Sequence, residues 1–554
     1  MIRASLASLC LLVAVATAPA LHASETSPKV RVRTGALRGA IEPETAVASY
    51  KGIPYALPPT GKLRWQPPVP APAWEGVRDA GKFGNACLQP PQNPAGLYTG
   101  GMAPLSEDCL TLNVWTPTDA RELPVMVWIH GGAHVGGSSS EPLYDGTRLA
   151  EKGIVFVSIN YRLGLLGFLA HPALSAESPD GLSGNYGLLD QIEALRWVQD
   201  NIAAFGGDPK RVTIAGESAG GLSVIALLAS PLARGLFSAA IVQSGYMPAY
   251  RALRDETLGL RSAEQEGLAL ARAARVPSSA AALRAANLVE LFQAGLKTGW
   301  QPEPVIDGFV LTRQLAETFA RGEQAKVPVL AGFNEGEIRS LPFLMPKHPK
   351  SQEAYEADVR KRFGAMASGF LAVYPGTDPK ADVMASIRDG LYGWAAQYLV
   401  RQQAAAGQPA YLYYFRHSTP AQRARDLAAF HASEIPYIFG TSTAPARNWP
   451  QPPATSEEAQ LVQAMMSYWT SFVRDGVPRA EGRPDWPRFT PEQREYLDID
   501  ERPMVARDLH SAAFAWADAL VKQRQQQGRA WRLNIGFSAF SIDAPAAGRQ
   551  PEAQ

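Results

Sequence analysis

The chain has 554 residues, of which 46% are hydrophobic and 19% charged, and its 53 basic side chains are balanced by 52 acidic ones. Those figures describe a globular protein able to bury a large core. They exclude a disordered chain, and they leave no electrostatic case for nucleic acid as a partner.

Residues 1–23 read as a secretory leader. Arg3 gives a positive start, "LASLCLLVAV" (6–15) a short apolar core, and "ATAPALHA" small-residue cleavage points after Ala20 or Ala23. That core is too short to span a bilayer, and no later run of about 20 uninterrupted apolar residues follows. Leu9 directly before Cys10 argues against lipid attachment. The expectation is an exported protein, periplasmic or secreted, without stable membrane insertion. Cys10 leaves with the leader, and the remaining pair, Cys87 and Cys109, is expected to bridge in an oxidising compartment. Closing that loop stabilises the fold by about 3 kcal/mol in the chain-entropy model.

Up to residue 123 the chain is proline-rich ("ALPPTGKLRWQPPVPAPAW"), which suggests short antiparallel strands and loops. Buried strands are then expected at 124–130, 153–161, 211–216, 239–245, 327–333 and 410–415. Between the second and third, Leu188, Ile192, Leu195, Val198 and Ile202 recur at spacings of three and four, one face of a helix. Ala/Leu/Arg-rich helical stretches at 251–295 and 351–407 read as insertions over the sheet, and 541–554 as a disordered tail. Residues 24–540 are expected to form one domain. Its class is α/β, with a mostly parallel sheet flanked by helices and a small N-terminal β region. Active sites of such sheets collect beyond the carboxyl ends of the strands.

One candidate stands at such an end. "RVTIAG" runs into Glu217-Ser218-Ala219 and then "GGLSVIALLAS", a helical sequence, which is the setting in which G-x-S-x-G places a serine nucleophile on a sharp turn. Ser218 needs a base. Of the eight histidines, His22 falls in the leader, His130 and His134 in a glycine-rich loop, His171 and His348 before prolines, and His510 in a helical stretch. His431, on a loop after the last expected sheet strand, is the best-placed base, with His417 as rival. The acid that orients the base should follow a strand between serine and histidine. "VPVLAGFNEGEIRS" offers Glu335 and Glu337, which the residues alone leave level, and Asp307 is a weaker third. "WIHGGAHVGGSS" can bring backbone N–H groups close to a reacting carbonyl. His130 and His134 have no third ligand in view, so no metal is expected.

Several blocks in this order resemble the type-B carboxylesterases: "YKGIPYALPPTGKLRW", "SEDCLTLNVWTP", "GNYGLLDQIEALRWVQDNIAAFGGDPKRVTIAGESAGG", "FHASEIPYIFG" and "YWTSFVRDGVP". The resemblance covers nearly the whole chain after the leader. It implies an α/β-hydrolase fold that cleaves small-molecule carboxylic esters without a cofactor. By position it makes Ser218 the nucleophile and His431 the base. It puts the oxyanion on the N–H groups of Gly132, Ala133 and Ala219, with Ala133 replacing the family's usual glycine. Ser244 matches a serine that supports the acid, and "SEDCL" ends the family's first disulfide loop, in agreement with Cys87–Cys109. Ungapped alignment from Gly332 selects Glu337 as the acid, whereas a two-residue gap selects Glu335, and Glu337 is preferred. The disulfide loop holds Tyr98 where cholinesterases carry a cation-binding tryptophan, which disfavours choline esters. Two alternatives stay open: a catalytically silent binding protein on the same fold, and an amidase or lipase using the same triad. The sequence leaves the acyl and alcohol preference and the oligomeric state undetermined.

Overall fold

A computed structural model describes residues 27–532, apart from 99, 348, 444 and 445. The expected leader (1–23) and the tail (541–554) lie outside the described residues.

A sheet of 11 strands organises the chain. In chain order these are β1 (Ala40–Ile41), β2 (Val47–Pro54), β3 (Thr111–Pro117), β4 (Leu123–Ile129), β5 (Val155–Ile159), β6 (Gly207–Glu217), β7 (Ala239–Gln243), β8 (Val329–Asn334), β9 (Ala410–Phe415), β10 (Glu495–Ile499) and β11 (Met504–Arg507). Their spatial order is β11-β10-β9-β8-β7-β6-β4-β5-β3-β2-β1. The run from β5 to β10 is parallel throughout, and β1 to β3 and β11 are antiparallel edges. The six expected strands correspond to β4 through β9. A separate sheet of three strands, Lys29–Val32, Gly35–Arg38 and Val77–Asp79, is the small N-terminal β region.

Alternation along β4 shows why a buried parallel strand reads as an unbroken apolar run. Val125, Val127 and Ile129 enter one large core cluster, and Met126 and Trp128 a second. The first core receives Leu188, Ile192, Leu195 and Val198 from helix α1 (Tyr186–Asn201). The second receives Leu461, Met465, Trp469 and Phe472 from the helix Ser456–Asp475. Helix α2 (Ala219–Ala229) is buried on every side, so its sequence is apolar all round.

Strand order breaks where β4 lies between β5 and β6. The chain therefore crosses back from β5 to β6 through α1. A buried ion pair fastens this crossover: Arg162, just after β5, forks onto Asp190 of α1 at 2.6 and 2.8 Å. Breaking such a pair costs about 3–5 kcal/mol. Ligands of open α/β sheets bind at a switch of this kind.

Candidate active site

Ser218 stands alone between the end of β6 and the start of α2, at φ 57° and ψ −121°. A non-glycine residue holds such a conformation only where its surroundings enforce it. Here its N–H donates to Gln243 O and its carbonyl accepts from Leu222 N–H, both at 2.9 Å. The flanking glycines have a steric cause. A Cβ at position 216 would lie 2.5 Å from the Gly220 carbonyl carbon and 2.8 Å from Ile129 O, and one at 220 would press on the Ile129 and His130 carbonyls. Ser218 is half-buried whereas Glu217 and Ala219 are buried. The N–H of Ala219 opens α2, where helical N–H groups have no partner inside the helix.

The loop after β4 lies against this serine, since a Cβ on Gly131 would come within 3.2 Å of Ser218 Cβ. Gly132 and Ala133 follow at φ 103° and 55°. Both are exposed, and among the described residues neither N–H donates to a backbone carbonyl. The base of the loop is fixed by Tyr161 OH on His130 O at 2.8 Å and by Gly164 N–H on His134 O at 2.7 Å. His130 Nδ1 lies 2.9 Å from Gly131 O, and His134 Nε2 lies 3.1 Å from Ser223 Oγ. Burial pushes these imidazoles down, to about 4 and about 3 respectively. Among the described residues no group of three His, Cys, Asp or Glu side chains is arranged to hold a metal ion.

His431 and Glu337 meet from loops 94 residues apart. Nδ1 of His431 makes a short hydrogen bond to Glu337 Oε2, and Glu337 Oε1 accepts from Ser244 Oγ at 2.7 Å and from Asn334 N–H at 2.8 Å. Glu337 is fully buried at the start of a 3₁₀ turn, Glu337–Ser340, while Glu335 is exposed. Asp307 is occupied in its own turn, accepting from the N–H groups of Phe309, Val310 and Leu311. His417 pairs instead with Glu458, 3.1 Å from Nε2, and Tyr437 OH donates to the same carboxylate. Two tyrosines brace His431: Tyr98 OH donates to its carbonyl at 2.9 Å, and the Tyr392 ring lies 5.1 Å from its imidazole.

Sequence reasoning missed two further buried carboxylates, one at the other ring nitrogen of His431 and one beside Asn334. Glu217 Oε1 lies 3.1 Å from His431 Nε2. No hydrogen bond joins Ser218 Oγ to His431 among the described residues. Glu434 accepts from Gln243 Nε2 at 2.9 Å and Asn334 Nδ2 at 2.5 Å. Burial works against the charged form of Glu217 and of Glu434, while the His431 imidazolium favours the Glu217 carboxylate. Burial alone would lower His431, but the negative charges of Glu217 and then Glu337 outweigh it and hold the imidazole at about 9. Both missed residues lie inside motifs already singled out, at positions where those motifs assign no role.

Residues 26–516 match the model of the carboxylesterase family. The fumonisin B1 esterase of Sphingopyxis macrogoltabida is 38% identical over 494 residues, 86% of this chain and 87% of that one. The para-nitrobenzyl esterase of Bacillus subtilis (strain 168) is 35% identical over 496 residues, 87% of this chain and 96% of its own. Among solved structures, a thermophilic PNB esterase matches with a TM-score of 0.77 at 33% identity, over 89% of this chain and all of that one (100%). A carboxylesterase of Geobacillus stearothermophilus matches at 0.75 and 34% identity, over 88% and 99% of the two chains.

Proposed function

The chain belongs to the carboxylesterase family and is a carboxylic ester hydrolase, and from that premise we propose that it works by two-step acyl transfer at Ser218. Ser218 Oγ attacks the ester carbonyl while His431 Nε2 takes its proton. The oxyanion rests on the N–H groups of Gly132, Ala133 and Ala219, which then need no rearrangement as charge develops. His431 passes the proton to the departing alcohol and activates the water that releases the acid. Glu337 holds the imidazole by Nδ1, and Ser244 and the Asn334 N–H hold Glu337. Water is the only co-reactant this scheme needs.

One observation carries the reading: Ser218 is held half-buried at φ 57°, beside the exposed residues Gly132 and Ala133, whose N–H groups have no backbone partner among the described residues. For the base to accept the Ser218 proton, Nε2 must be unprotonated, and Glu217 beside it bears on that proton. The relatives bear names as different as fumonisin B1 esterase and para-nitrobenzyl esterase, so the preferred ester is best read from a hydrolysis panel varying acyl and alcohol parts separately. The bridge between Cys87 and Cys109 supports the reading of residues 1–23 as an export leader.

The decisive experiment is Ser218→Ala with organophosphate labelling of the wild type. We expect one label per chain, on Ser218, and a folded variant without ester hydrolysis. Turnover retained by pure, folded Ser218→Ala overturns the scheme.

A further inference from the structure

The segment closed by the Cys87–Cys109 disulfide touches both halves of the site, and the scheme above gives it no part. Its root is firm, because Cys87 and Cys109 lie in the core directly ahead of β3. Just past Cys87, the buried Gln89 forms a pair of bonds with Gly137 at the end of the glycine loop. Gly137 N–H donates to Gln89 Oε1, and Gln89 Nε2 donates to Gly137 O, each at 2.9 Å. The side-chain amide thus stands in for a neighbouring strand. Nε2 also donates to Cys87 O at 3.0 Å, which ties the amide to the disulfide.

Further along, the segment reaches the acid–base loops. Tyr98 OH lies 2.9 Å from His431 O and 2.7 Å from Ser340 Oγ. A carbonyl can only accept, so the tyrosine proton goes to His431 and the Ser340 hydroxyl donates to Tyr98. Ser340 ends the turn that begins at Glu337. Asn448 Nδ2 donates to Pro94 O at 2.8 Å and Gly96 O at 3.0 Å, and the Tyr98 ring meets Trp449 edge-on at 5.9 Å. One cross-linked segment therefore holds the loop after β4 with one residue and the loops after β8 and β9 with another.

We propose that this segment is a positioning clamp that sets the separation between the glycine loop and the His431–Glu337 pair, with Gln89 and Tyr98 as its two jaws. The proposal rests on the acyl-transfer reading given above. Acyl transfer is sensitive to such spacing, since a misplacement of about 1 Å costs roughly 10²-fold in rate. Loss of a jaw leaves the substrate pocket in place but loosens the reacting geometry, so it acts on kcat rather than KM.

The test uses Gln89→Leu, Tyr98→Phe and their combination in the full chain. It combines steady-state kinetics on para-nitrophenyl acetate, binding of a trifluoromethyl ketone that mimics the tetrahedral intermediate, and thermal melts. Each single variant should lose roughly tenfold in kcat, with KM within about twofold and ketone affinity falling in step with kcat. Reduction of Cys87–Cys109 in folded wild-type enzyme should give a similar loss, and should add little in the double variant. Wild-type kcat in the double variant overturns the clamp. So does a loss that tracks only the fraction unfolded, or equal factors of loss on reduction in wild type and double variant. Ser218→Ala separates the two ideas. Turnover in that variant sinks the acyl-transfer reading, whereas a dead Ser218→Ala beside a full-speed double variant sinks the clamp alone.

Discussion

The turn at Ser218 and the His431–Glu337 pair are built in opposite ways. The turn is local: a strand, one residue at φ 57°, and a helix, with Gly216 and Gly220 present because neighbouring carbonyls occupy the space of a Cβ. The pair is assembled across 94 residues, from loops that follow two adjacent parallel strands, and it is held by groups from a third strand end and from the disulfide segment. Steric necessity fixes the first within a few residues of chain. The second depends on sheet register and on how several loops descend onto one point. Substitutions in the two regions should therefore fail differently.

The largest effect is expected at the pair. Glu337→Gln keeps the volume but replaces the carboxylate facing Nδ1, and kcat/KM should fall by about 10³–10⁴-fold with little change in melting temperature. Glu335→Gln changes an exposed side chain, so its rate should stay within about twofold. A large loss in the second variant with none in the first would transfer the acid to Glu335. At the turn, Gly220→Ala forces a Cβ onto the Ile129 and His130 carbonyls. The serine and the glycine loop must then move apart, which should cost about 10²-fold in kcat together with several degrees of melting temperature. An unchanged melting curve and rate would show that the turn has slack, and would remove the contrast between the two regions.

This contrast also explains how much was legible beforehand. Strands β4 to β9 have buried faces on both sides and read as apolar runs. β3 lies where short antiparallel strands were expected but had no range of its own, because Asn113 interrupts its apolar run, although the asparagine amide is satisfied inside the fold by Ser139 and Ser158 Oγ at 3.1 and 3.0 Å. β10 escaped for a similar reason: Asp498 within it pairs with Arg416 at 2.7 Å. Ser218 carries its local context in the sequence. The residues alone left Glu335 and Glu337 level and only the family resemblance favoured Glu337, because what separates them is a difference of burial created by the turn Glu337–Ser340. Glu217 and Glu434 were unreadable in the same sense. A carboxylate becomes part of a site only when other loops close over it, and no spacing within one motif records that.

The smallest expected effect probes where the two regions touch, at Glu217 Oε1 and His431 Nε2. The pair favours a proton on the imidazole, since the carboxylates of Glu217 and Glu337 hold His431 well above its ordinary value against its own burial. Only the neutral imidazole can take the Ser218 proton, and the imidazole is protonated below its pKa. Activity should therefore rise with pH, on an acid limb lying above the value of about 6.5 for an unperturbed histidine. Glu217→Gln keeps the shape and removes the negative charge beside Nε2. The acid limb of kcat/KM should then move to lower pH, while the rate on the alkaline plateau changes by no more than a few-fold. A limb that stays in place would show that Glu217 has no hold on the His431 proton, and that the turn's contribution to the site ends at Ser218.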